Sequence, residues 1–519
     1  MTIKRIILSI LTVLTLGLVS LSLIESWNEP QIQSRLELYQ TNLILHAAEW
    51  KGENFPDADI ATAKQTLLGD DLFENALKQY QEASETGEKN LQKTRQQLQA
   101  LKPASTEMPV QQTTAPEQKK LQSIANQQQN SLDEIDLRLG ILQLKNNQKD
   151  KAIQTWQNIV KYASNETIER AVVQTAKVLE NLANSRILPE TESVIKQNLD
   201  GWFRYQALSE YYQIQKDTTS VATLQANEQK TAEQAVIKLG IIGVVPTIGF
   251  IGGTALLIGL LIQQLIKGKE AILATNGDVA WETPWNWEII WQVLVGGFFF
   301  VGQIAAPLIL QTLNAVLKIN PATFDVRSKA IYILFSYIVL AGGGILAIYF
   351  SVKPFSPLPK DWFQINLKGK WFLWGLGGYL VALPLVVLVS LINQKIWQGQ
   401  GGSNPILPIA LEGKDAVALT IFFITASIGA PIFEEIMFRG FLLPSLTRYM
   451  PVSGAIFLSG LIFAVAHLNV SEVLPLATLG IILGFVYSRS RNLLASMFLH
   501  SLWNSGTLLS LYLLGNSSA

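Results

Sequence analysis

From residue 237 onward the chain carries eight apolar stretches, and their repetition constrains its fold more than any other feature. They are roughly 237–265, 289–317, 330–350, 371–392, 416–432, 453–468, 473–487 and 493–514. About 20 apolar residues in a helix cross the ~30 Å hydrocarbon core. Backbone in hydrocarbon must satisfy its own hydrogen bonds, so such stretches are read as helices. The 473–487 stretch is short and implies little tilt or a thinned bilayer. Residues 6–24, behind Lys4 and Arg5, add another apolar run. Its length suits a membrane anchor better than a signal peptide cleaved near residues 20–26. The expected fold class is therefore all-α. It is a polytopic α-helical membrane protein with an N-terminal anchor (1–24), a soluble helical domain (25–235) and an eight-helix intramembrane core (236–519), nine crossings in all.

Residues 25–235 are rich in Gln, Asn, Lys and Glu. Residues 101–118 are rich in Pro, Thr and Gln and read as a linker. Beyond them, Ile135, Leu139 and Leu142 recur at helical spacing, as do Ala152, Ile153, Trp156 and Val160. The pair resembles a tetratricopeptide helix hairpin, and residues 202–212 could begin another, although a plain helical domain fits equally well. His46 reads as an ordinary helix residue. The expected role of this domain is to recruit a substrate or a protein partner.

Lys plus Arg and Asp plus Glu both number 40, so nothing points to a nucleic-acid partner. There are no cysteines, which excludes disulfides, thiolate nucleophiles and Cys-based zinc sites. With a cytoplasmic N-terminus, the short loops on that side carry 12 Lys or Arg and the opposite short loops 5, the bias expected of that orientation. Residues 25–235 would then lie across the membrane from the cytoplasm.

Within the apolar half, ionisable residues gather in about seventy positions. Ionisable groups at membrane depth are costly and are functional candidates by default. Glu434, Glu435 and Arg439 end the 416–432 run, His467 follows Phe463 by four residues, and His500 precedes Asn504 by four. On a helix, Glu435 and Arg439 share a face in the favourable acid-first order. Glu434 is turned about 100° away, which makes it the candidate for chemistry and the Glu435–Arg439 pair a brace. The turn near residues 450–451 lies about sixteen residues from both Glu434 and His467. At 1.5 Å per residue that sets both roughly 24 Å from the turn, so the two can face each other. His500 lies only about nine residues beyond the Arg489–Arg491 turn and needs a tilted helix to reach the same depth.

Glu434-Glu435-x-x-x-Arg439, Phe463-x-x-x-His467 and His500-x-x-x-Asn504 resemble, in order, the three motifs of the CPBP intramembrane proteases, which include the type II CAAX prenyl endopeptidases. The resemblance covers about residues 410–510 well and the helical core from 237 loosely; the first 235 residues lie outside it. It implies a glutamate-dependent endopeptidase acting on a membrane-associated protein or peptide. In it, Glu434 and His467 activate water, His500 and Asn504 stabilise the oxyanion, and Glu435, Arg439 and Phe463 support the site. Glu434, His467 and His500 could also ligate zinc, but the resemblance favours a mechanism that requires no cofactor. Two other classes fit the same residues. Intramembrane Glu and His build proton paths in transporters, and the family includes non-catalytic scaffold and immunity-type proteins. No His-Glu-x-x-His and no Gly-x-Ser-x-Gly occurs in the chain.

Overall fold

The computed structural model describes residues 2–515 apart from 28, 30, 32, 53–70, 102–113, 164–169, 405, 408 and 410–414. Among the described residues all regular structure is helical, with no strand. In chain order the helices are α1 (Ile3–Ser26), α2 (Gln33–Ala48), α3 (Leu72–Ala100), α4 (Thr114–Lys145), α5 (Lys149–Ala163) and α6 (Ala171–Ala183). There follow α7 (Thr191–Asn198), α8 (Gly201–Gln215), α9 (Thr218–Glu270), α10 (Trp287–Leu317), α11 (Val326–Phe355) and α12 (Trp371–Trp397). The last four are α13 (Ala416–Leu446), α14 (Val452–Val465), α15 (Val473–Ser490) and α16 (Leu493–Gly515). The chain divides into two units, one comprising Met1–Gln33 with Ile242–Gly515 and the other Ser34–Ile241.

The Ser34–Ile241 unit has its own core. Trp156 on α5 is fully buried against α4, and its indole Nε1 donates to Leu137 O at 3.1 Å. Gly140 is required beneath it, since a Cβ there would sit 2.3 Å from that nitrogen. Of the expected 101–118 linker, residues 102–113 lie outside the described residues, and Thr114 already begins α4. His46 is buried, with Nδ1 2.6 Å from Glu228 Oε1, and joins α2 to α9.

Asp136 on α4 accepts from Ser84 Oγ at 2.6 Å. Burial pushes its carboxyl up to about 6, against the pull of that hydrogen bond. A carboxyl raised in the folded state binds its proton more tightly there than in the unfolded chain. Its favourable contribution is therefore complete below about pH 4 and is lost as the pH rises through about 6. Asp136→Asn is expected to stabilise this unit by ~1–2 kcal/mol at pH 7, discounted for partial exposure, and to do nothing at pH 4. Unfolding of the full chain followed by tryptophan fluorescence at the two pH values checks this. Equal effects at both would show the carboxyl to be unstrained.

In the membrane unit, seven helices among the described residues are long and apolar enough to cross a bilayer: α1, α9 to α13, and α15. By this measure of length and composition, two of the nine expected crossings, α14 and α16, do not qualify. The eight apolar stretches all form helices, but α14 has only 14 residues, ~21 Å of rise, and α16 is diluted by His500, Ser501, Asn504 and Ser505. Helix α12 packs on α9, α15 and α16, and α11 packs on α10 and α13. Helices α14 and α15 approach most closely at Gly460 and Gly480, where a Cβ on Gly480 would lie 2.9 Å from Gly460 Cα. Small residues at such crossings let backbones touch in lipid.

Loop contacts sort the helix ends onto two faces. On one, Arg5 Nε pairs with Glu288 at 3.1 Å, Arg489 Nε donates to Leu273 O at 2.6 Å, and Trp281 stacks on Tyr487. On the other, Ser26 Oγ accepts from Val470 N at 3.2 Å, and Arg327 pairs with Asp415 at 2.8 Å. This is the alternation that successive crossings demand.

Candidate active site

Helix α13 is built to be interrupted. Asp415 caps its start by accepting from Ala418 N at 2.9 Å. Pro431 has no N–H to give to a carbonyl one turn back, and the turn before it, Thr425–Gly429, is π-helical. The carbonyls opened there are taken by α16: Ser501 Oγ donates to Ser427 O at 2.5 Å, and Asn504 Nδ2 donates to Ala426 O at 2.7 Å. A second π-helical stretch, Ile436–Leu442, follows the two glutamates. Single π turns inside α-helices are frequent at functional sites.

Between these irregular turns the two acids separate as their spacing suggested. Glu435 is fully buried. Its Oε1 accepts from Arg439 at 2.7 Å and meets His500 Nδ1 at 2.9 Å. Arg439, also fully buried, donates to Gly480 O at 2.9 Å, and its guanidinium lies 4.5 Å from the Phe463 ring centroid. The brace thus ties α13 to α14, α15 and α16. Glu434 keeps 16% of its side chain exposed, and its Oε2 is 3.9 Å from His500 Nε2. His500 therefore stands between the two carboxylates.

His467 closes α14, and its Nδ1 is 2.9 Å from Phe463 O. A carbonyl only accepts, so Nδ1 carries the proton, and in the neutral ring Nε2 presents a lone pair. That hydrogen bond is made to the backbone and not to Glu434. His467 is linked to His500 through Phe463, whose ring centroid is 4.9 Å from one imidazole and 5.7 Å from the other. For His500 the Nδ1 partner is a carboxylate, so Nδ1 is again the donor. Its Nε2 can then donate only when the ring carries both protons. Asn504 spends one N–H on Ala426 O and keeps the other.

Two neighbours were not singled out from the sequence. Glu472, in the loop after His467, interacts with the His467 imidazole and accepts from Asn404 N at 2.9 Å. Tyr337 on α11 interacts with Glu434. Neither had a signal, since Glu472 sits in a polar loop and Tyr337 shares its span with Tyr332 and Tyr349. Among the described residues no three His, Asp or Glu side chains gather closely enough to hold a metal ion.

These features define a polytopic all-α membrane protein with a carboxylate and imidazole site inside its helices. More narrowly, residues 416–506 match the family model described as type II CAAX prenyl endopeptidase Rce1-like. The chain is also 28% identical over 151 residues to the Bacillus subtilis (strain 168) protein named "Putative membrane peptidase YdiL", a match covering 28% of this chain and 61% of that protein. No solved structure matches the chain.

Proposed function

We propose that this chain is a glutamate-dependent intramembrane endopeptidase that hydrolyses a peptide bond of a membrane-associated protein or peptide. The observation that carries the reading is the division of labour between adjacent acids. Glu435 is consumed by Arg439 and His500, while Glu434 is partly accessible and held only loosely by His500 Nε2. Glu434 takes a proton from water as the water oxygen attacks the scissile carbonyl, and later passes that proton to the leaving amine. General-base help of this kind contributes about 10²–10⁴ in rate. His467 Nε2, unprotonated, shares the water. Doubly protonated His500 and the free Asn504 N–H face the developing oxyanion, where one donor is worth about 10²–10³. No cofactor is required by this scheme.

The extramembrane unit is proposed to recruit the substrate or a partner, and the N-terminus is proposed to be cytoplasmic. The test compares membrane-proteome fragments from cells carrying the wild-type chain and the Glu434→Ala chain at equal abundance. Fragments present only with wild type are expected. Identical fragment sets would overturn the assignment, and proton flux through liposomes in their place would indicate a transporter.

A further inference from the structure

We infer that Tyr337 is a positioning residue for Glu434, its hydroxyl donating to the carboxylate directly or across one water. The inference rests on the peptidase reading for its consequence in rate, and on geometry for the contact itself.

Helix α11 is locked to the residue just before Glu434 at two points. The Phe433 ring lies edge-on to Tyr337 at 6.2 Å between centroids. It also presses on Gly344, where a Cβ would meet Phe433 Cε2 at 2.7 Å. Tyr337 and Gly344 are seven residues apart and so share one helix face. That face therefore has a fixed rotation toward α13, and it aims the Tyr337 hydroxyl at Glu434, with whose carboxylate it interacts.

Neither polar end has a hydrogen bond, and Glu434 Oε2 has only His500 Nε2 at 3.9 Å. The Tyr337 hydroxyl is buried without a hydrogen-bond partner, and so is Glu434 Oε2. A phenol donates and a carboxylate only accepts, so the two are complementary. Such buried orphans are rare, because buried polar atoms are almost always paired. A small rotation or one bridging water satisfies both. With Oε2 held in this way, the rotation of the carboxylate is set and its other oxygen is left to the reacting water.

The variant to make is Tyr337→Phe, which keeps the ring against Phe433. The full chain in proteoliposomes is assayed with a quenched peptide spanning a bond cut only when Glu434 is present. A fall in kcat of about tenfold or more is expected, with KM and thermal stability unchanged. An unchanged kcat overturns the inference, as does a loss that tracks a loss of stability. A rise in KM alone would place Tyr337 on the substrate instead and also overturn it. Independently of activity, the ¹⁹F resonance of 3-fluorotyrosine at position 337 is expected to shift on Glu434→Gln. A shift without any Glu434-dependent cleavage would keep the contact and remove the peptidase reading; no shift removes the contact.

Discussion

Arg439→Met is expected to destabilise the membrane unit by ~3–5 kcal/mol, the usual cost of removing one partner from a buried ion pair. The guanidinium and the Glu435 carboxylate are both fully enclosed, and three helices meet at their hydrogen bonds. Methionine fills much of the volume, so the loss comes from leaving Glu435 charged in a dry site without its cation. Arg439→Met combined with Glu435→Gln is expected to recover a large part of it, because a neutral amide tolerates the dry site. Glu434→Gln should change stability little, since that side chain is partly exposed and lightly bonded. Detergent-solubilised unfolding of the four proteins measures this. If Arg439→Met unfolded within about 1 kcal/mol of wild type, the pair would not be a brace.

The contrast between the neighbouring acids was readable because helical spacing alone separates i from i+1 and joins i to i+4. Phe463 and His467 entered only as positions of a resembled motif, and their backbone hydrogen bond one turn long came from the fold. What the spacing could not supply was the departure from regular helix. Depth estimates at 1.5 Å per residue treat α13 as unbroken, whereas π turns flank both glutamates. Pro431 was visible, but not which carbonyls it would open or that Ser501 and Asn504 would take them. Asn504 was read as an oxyanion donor, and one of its two N–H groups is spent on Ala426 O of α13. Tyr337 and Glu472 reach the site through tertiary placement, and a lone tyrosine or loop acid carries no periodic signature. The polar domain showed a similar limit. Helical spacing marked His46 as a helix residue, but its burial against Glu228 depends on α9, more than 170 positions away.

Replacing residues 3–24 by polyleucine of equal length is expected to lower Glu434-dependent cleavage by about 10–100-fold while membrane insertion is kept. Sequence alone treated α1 as an anchor, yet it is docked specifically. Arg5 pairs with Glu288, and Trp291 Nε1 donates to Thr12 Oγ1 at 2.7 Å. At its other end Ser26 Oγ accepts from Val470 N, and the Glu29 carbonyl accepts from Gly401 N and Gly402 N at 2.9 and 3.0 Å. Gly401 O and Gly402 O in turn accept from Ser471 N and Ser471 Oγ at 3.2 and 2.7 Å. Asn469, in the same loop, donates to His467 O at 3.1 Å. The exit of α1 thus holds the segment immediately following His467. Polyleucine removes the Thr12 and Arg5 contacts that fix the height of α1, and with them the placement of Ser26. A displacement of about 1 Å at a reacting group can cost 10²-fold. Ser26→Ala alone should cost less, because the Glu29 carbonyl still holds Gly401 and Gly402. Full activity of the polyleucine chain, measured per inserted molecule, would show that α1 only tethers and that the His467 loop keeps its own shape.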